Sequence, residues 1–150
     1  MKLAELLLER SALQRRIESL RGRIVGNAVA QDGSAAHEDP RALLEEVMRS
    51  NQTLRETIVA INCANLAVRT AEGQTLTEAI AMRDELAAQH AILKATAEAA
   101  VRSPDRYSSR ELAYVSQFDV GELHTRADKV AQKIRHLNAQ IQQANWNNEV

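Results

Sequence analysis

The chain has 150 residues, enough for one domain with one core, and is 45% hydrophobic but only 3% aromatic. Five glycines and two prolines are too few for the turns of an all-β fold, and a core of Leu, Ile, Val and Ala suits helix-on-helix packing. A net charge of -1 excludes a basic field that would gather nucleic acid, one cysteine excludes an internal disulfide, and no run approaches the ~18 apolar residues of a membrane span.

A seven-residue apolar beat recurs in four segments. The first predicted helix covers residues 2–30 and carries Leu3, Leu6, Arg10, Leu13, Ile17, Leu20 and Ile24 on one face. Gly22 and Gly26 weaken its end, and Gln31 to Glu38 reads as a polar loop. Asp39-Pro40 opens a second helix, 40–69, because Asp caps free N–H groups and Pro fits the first turn. Its stripe reads Leu44, Val47, Asn51, Leu54, Ile58, Ile61, Asn65 and Val68. Gly73 marks the next turn, and Thr75 to Glu78 is a capping-box pattern that opens a third helix, 76–102. That helix carries Leu76, Ala79, Arg83, Leu86, His90, Leu93, Ala97 and Ala100. Residues 106–118 hold both tyrosines and the one phenylalanine and read as a loop with a short extended segment. Asp119 to Glu122 offers another capping box before a fourth helix, 120–145, with Leu123, Ala127, Val130, Ile134, Leu137, Ile141 and Ala144.

Long helices joined by short connections favour antiparallel neighbours. The expected fold is therefore all-α: an elongated antiparallel four-helix bundle, or long helical hairpins, forming one domain over 1–150. Hairpins packed within one chain and hairpins swapped between chains would use the same stripes.

The polar breaks in the stripes suggest a site. In an antiparallel bundle, Arg10, Asn62 and Arg83 fall within roughly 10–14 Å of one pole at the helical rise. Asn65, Arg69, Asp84, Asn145 and Trp146 lie near them in the sequence pattern. Guanidiniums at a seam need anionic partners. Glu5, Glu9 or Asp84 supply them in an internal network; in the alternative, the same groups bind a small anion, which arginine suits well. A second candidate is the loop set Arg102, Arg106, Tyr107, Arg110 and Tyr114, a mix of cation and aromatic favoured at subunit contacts.

Reaction motifs are absent from the sequence. The residues three before His37, His90, His124 and His136 are Ser34, Ala87, Gly121 and Lys133, so the Glu-x-x-His of a di-iron bundle is missing. His124 and Asp128 are a two-group pair, more suited to a solvated surface than to a metal. His90 reads as a buried histidine satisfied by a neighbour, and Cys63 as a small buried thiol. There is no Gly-rich phosphate loop, Gly-x-Ser-x-Gly elbow or His-Glu-x-x-His. Neither a cofactor nor a metal is expected.

The opening MKLAELLLER, Ile61-Asn62-x-x-Asn65, Thr75-Leu76-Thr77-Glu78-Ala79, Arg83-Asp84, Asp105-Arg106-Tyr107-Ser108, Asp119-Val120 and Ile141-Gln142-x-x-Asn145-Trp146 together resemble a bacterial family of short helical proteins labelled septicolysin. The resemblance covers nearly the whole chain. Its pattern often has Arg where this chain has Ser109, and a basic residue near Ala113. The resemblance implies a helical fold, and the label implies a cytolytic, pore-forming activity. The residues themselves offer no export signal, membrane span or amphipathic β-hairpin for such a pore. The expectation is a non-enzymatic, cytoplasmic, homo-oligomeric protein that acts by association, with a small-ligand or enzymatic site at the polar pole as the alternative.

Overall fold

The computed structural model describes residues 1–101 and 115–150. The chain is all-α, and no strand occurs among the described residues. Helix α1 spans Leu3–Asn27, α2 Pro40–Ala67, α3 Leu76–Val101 and α4 Val120–Asn147. These lie within two or three residues of the expected bounds. The extended segment expected between α3 and α4 falls largely in 102–114, outside the described residues; the described part, 115–118, is exposed and contains no strand.

Each helix start has a chemical reason. The backbone N–H of Lys2 donates to the Glu5 carboxylate at 2.7 Å. Asp39 Oδ1 accepts from the Arg41 N–H at 3.0 Å, with Pro40 in the first turn. At α3 the capping box is complete: the Glu78 N–H donates to Thr75 Oγ1 at 3.2 Å, and the Thr75 N–H donates to the Glu78 carboxylate at 2.8 Å. Asp119 Oδ1 accepts from the Glu122 N–H at 3.1 Å.

The chain divides into two compact units. The first comprises Met1–Arg69 and Ala144–Val150, and the second Thr70–Gln143. In the first, α1 and α2 pack closely; in the second, α3 and α4 do.

In the first unit, Arg16 Nη2 pairs with Glu46 at 2.8 Å, and Arg23 Nε with Glu38 at 2.9 Å. Seven residues forward on α1 thus match eight residues back along the chain of its partner, so the hairpin is antiparallel. The end of α1 is tied to the loop by Asn27, whose Nδ2 donates to the Arg23 carbonyl at 2.9 Å and whose Oδ1 accepts from the Glu38 N–H at 3.0 Å. At the other extreme the chain ends meet: the Leu3 N–H donates to the Asn148 carbonyl at 3.1 Å and the Val150 N–H to the Met1 carbonyl at 2.9 Å, with Lys2 and Glu149 in an antiparallel bridge.

The stripes of α1, α3 and α4 are buried or half-buried at every expected position. On α2 the stripe is rotated. Leu43, Ser50, Thr57, Ile61, Ala64 and Val68 are buried, with Val47 and Leu54 half-buried. Leu44, Asn51 and Ile58, expected inside, are exposed, and Asn65 is half-buried. The hydroxyls explain the rotation. Ser50 Oγ donates to the Glu46 carbonyl at 2.8 Å and Thr57 Oγ1 to the Thr53 carbonyl at 2.9 Å. With its hydroxyl satisfied inside its own helix, a small side chain takes a seam position without an orphaned polar group.

Candidate functional site

In the second unit a cleft of about 610 Å³ is lined by the 70–75 turn, α3 and α4. Its floor is aliphatic (Met82, Leu86, Leu137) and its rim polar (Glu72, Glu85, Lys133, His136, Gln140). The turn is built by backbone hydrogen bonds, from the Thr70 N–H to the Gln74 carbonyl at 2.8 Å and from the Gly73 N–H to the Thr70 carbonyl at 2.9 Å. Gly73 has φ +87°, a left-handed conformation that a side chain would strain. This geometry brings Glu72 to α4.

Three side chains then meet at one point. Gln140 Nε2 donates to Glu72 Oε1 at 2.6 Å, and His136 Nε2 lies 3.2 Å from the same oxygen and 2.9 Å from Gln140 Nε2. The Gln140 amide has two N–H groups. One serves Glu72; the other serves His136 when that ring nitrogen is unprotonated. A protonated His136 donates to Glu72 instead. The Gln140 hydrogen bond, with His136 second, holds the Glu72 carboxyl below its ordinary value. The carboxylate is therefore ionised at neutral pH.

Two acceptors in this cleft are left over. Gln140 is only 8% exposed, and its Oε1 is buried without a hydrogen-bond partner among the described residues. Gln74 Oε1 is likewise buried and unpartnered. Buried carbonyl oxygens without donors are uncommon and call for an explanation. Glu85 Oε1 accepts from Gln89 Nε2 at 2.9 Å. Among the described residues, no group of three or more His, Cys, Asp or Glu side chains could hold a metal ion. His124 and Asp128 are both exposed.

The residues expected at a polar pole are distributed over both units. Arg10, Asn62, Asn65, Arg69, Asn145 and Trp146 belong to the first, Arg83 and Asp84 to the second. Arg10 is half-buried, and its Nε is buried without a hydrogen-bond partner among the described residues. The ion pairs of the hairpin, continued along both helices, bring Arg10 level with Gln52. Asn62 lies ten residues beyond, about 15 Å along α2. Asn62 and Arg69 are exposed, Asn65 is half-buried, Asn145 is 6% exposed and Trp146 48%. Arg83 is already engaged: its Nη2 and Nε donate to Asp84 Oδ1 at 2.7 and 3.0 Å. The loop candidates Arg102, Arg106, Tyr107, Arg110 and Tyr114 lie outside the described residues. Cys63, expected buried, is exposed, because the rotated α2 seam uses Ala64 instead. His90, expected buried, is half-buried.

Sequence reasoning missed Glu72, Gln74 and Gln140. A faint clue was present, since His136 and Gln140 are one helical turn apart and share a face. Nothing local tied them to Glu72, which is 64 and 68 residues away.

The comparisons with known proteins bear on this molecule as a whole. Residues 10–150 match the model of a family of unknown function, DUF6847. A crystal structure of a functionally unknown conserved protein from Corynebacterium diphtheriae is similar over the whole chain, with 32% identity, a TM-score of 0.89 and coverage of 100% of this chain and 98% of that one. No curated protein matches. The septicolysin label expected from the sequence strings finds no support in these matches; the family they give has no assigned activity.

Proposed function

The chain belongs to the DUF6847 family of unknown function, and we propose that it works as a helical protein that acts through self-association, with α2 as the contact surface. One observation carries this reading. Leu44, Met48, Val59 and Leu66 of α2 are 44%, 59%, 55% and 65% exposed. At about 100° per residue they fall, with Ile58, in one sector about 100° wide that begins beside the seam and also carries Asn51, Arg55 and Asn62. Exposed apolar residues in a row are a feature of association surfaces, whereas scattered ones need no explanation.

A second copy fits this face better than an unlike partner of strong charge. The net charge of -1 gives neither attraction to a charged partner nor strong repulsion between copies. A two-fold axis near Arg55 would set Leu44 against the partner's Leu66, since both lie eleven residues from that point. Such isologous pairing is the commonest route to a homo-oligomer. Light scattering coupled to gel filtration tests the reading. The unchanged chain is expected at twice its 16.6 kDa mass, and Met48→Glu with Leu66→Glu at the monomer mass. A monomer at every concentration up to about 100 µM, far above the micromolar affinities of weak specific complexes, would end it.

A second reading rests on Arg10. Its buried, unpartnered Nε supports a small anion held in the first unit, close to the pole-site expectation but centred on one guanidinium. Thermal shifts with phosphate and citrate, absent in Arg10→Leu, would support it; none with either anion would remove it.

A further inference from the structure

Beyond self-association, we propose that the cleft of the second unit binds an aliphatic diamine or polyamine, held by its ammonium groups on Glu72 and the glutamine carbonyls.

The cleft has more acceptors than donors. Glu72 uses Oε1 for both Gln140 and His136, and Oε2 takes no hydrogen bond among the described residues. Glu85 similarly uses Oε1 alone, for Gln89. The Oε1 atoms of Gln140 and Gln74 have no donor among the described residues. The amide of Gln140 cannot simply turn over to relieve its oxygen, because its Nε2 is the donor that holds Glu72 at 2.6 Å. An ammonium group carries three N–H donors and no acceptor. It therefore supplies what this site lacks, and its charge matches a carboxylate that stays ionised.

The rest of the cleft selects the body of the ligand. Met82, Leu86 and Leu137 offer an aliphatic floor for methylene groups. A volume of about 610 Å³ suits a molecule of several carbons. Two carboxylates, Glu72 and Glu85, stand on the lining against one lysine, Lys133, so a second ammonium meets a second anion. A hydrated divalent metal is a poorer fit, because no three-ligand acidic or imidazole cluster is present among the described residues. For a simple anion, the Gln140 amide and His136 already face Glu72, and the one remaining cation, Lys133, stands against two carboxylates.

Calorimetric titration of the full chain with putrescine and spermidine tests the proposal, with 1,4-butanediol as an uncharged match and magnesium chloride as a charge control. Saturable binding of the amines, absent for butanediol and magnesium, is the expected result. Glu72→Gln should weaken the amine about tenfold, the loss of one charge-assisted contact. Glu85→Gln, an exposed position on α3 that leaves the Glu72 contacts intact, should weaken spermidine more than a mono-amine such as butylamine. Arg16→Gln, in the other unit, should change nothing. Circular dichroism on each variant establishes that it is folded before titration. No saturable amine binding by the folded, unmodified chain would overturn the proposal. So would binding matched by magnesium, or binding indifferent to both Glu72→Gln and Glu85→Gln.

Discussion

The hairpin of α1 and α2 and the unit built on α3 and α4 treat their polar groups differently. In the hairpin, charges meet across the helices in matched pairs, Arg16 with Glu46 and Arg23 with Glu38, and seam hydroxyls are closed on their own helix. In the other unit, a carboxylate, an imidazole and an amide converge on one point, and two amide oxygens nearby are left without donors. The first arrangement closes its seam hydroxyls and paired charges internally and leaves one buried donor, Arg10 Nε, without a partner among the described residues. The second is complete only with something added, and the difference separates a structural polar contact from a candidate binding site better than polarity alone does.

Four experiments probe this contrast between the two units. The largest effect is expected at the buried aliphatic side chains of each unit. Leu20 of α1 and Leu76 of α3 are 1% and 0% exposed, and truncation of either to Ala should cost about 2–5 kcal/mol in urea unfolding. If Leu76→Ala were silent, the second unit would lack the packed core assigned to it. Next comes the α2 seam. Measured in the Met48→Glu, Leu66→Glu background, where association does not contribute, Leu43→Asp buries a charge and should cost about 3 kcal/mol or more, while Leu44→Asp, one residue away, should stay within about 0.5 kcal/mol. The reverse order would restore the stripe through Leu44, Asn51 and Ile58. A smaller effect is expected for Thr57→Val, which keeps the shape and removes a hydroxyl bonded only to its own helix; a change under about 1 kcal/mol is expected, whereas a larger one would mean that the hydroxyl serves the neighbouring helix.

The smallest effect lies in the acid limb of stability. The Arg23 hydrogen bond holds the Glu38 carboxyl below its ordinary value of 4.5. The Gln140 and His136 contacts do the same for Glu72. A carboxyl with a lowered folded-state value contributes stability that is present above pH 4.5 and is lost as the pH falls through the folded value. Both sites are solvent-exposed, so the slope is shallow. Melting temperatures measured from pH 7 to pH 3 should fall, and Glu38→Gln and Glu72→Gln should each flatten the decline. In Glu72→Gln the flattening would accompany weakened amine binding, whereas Glu38→Gln would leave binding alone.

How much of this could be read from the sequence follows from the range of each interaction. The stripes of α1, α3 and α4 are aliphatic at alternating steps of three and four, and burial matches them position by position. The helix starts were legible because Asp39, Thr75, Glu78 and Asp119 act on N–H groups two or three residues away. On α2 an apolarity criterion chose Leu44 and Ile58 over Leu43 and Thr57, and a one-residue slip turns a helix by about 100°. The sevenfold spacing of Leu43, Ser50, Thr57 and Ala64 was visible, but a buried hydroxyl is recognised only once its acceptor is known. The cleft was barely legible: Gly73 marked its turn and His136 and Gln140 share a helix face, but Glu72 meets them from 64 and 68 residues away. Of the pole residues, Arg83 found the acid next to it, Asp84, whereas Arg10 was left with a donor unused.

The clasp between residues 1–3 and 148–150 has a topological corollary. With the Val150 N–H 2.9 Å from the Met1 carbonyl, a linker of a few residues could join the two ends into a covalent ring with little distortion of either. New ends could then be opened in the polar connection around Gly33, outside every helix. Such a circular permutant should keep the fold, and its melting temperature compared with that of the linear chain would weigh the tie directly.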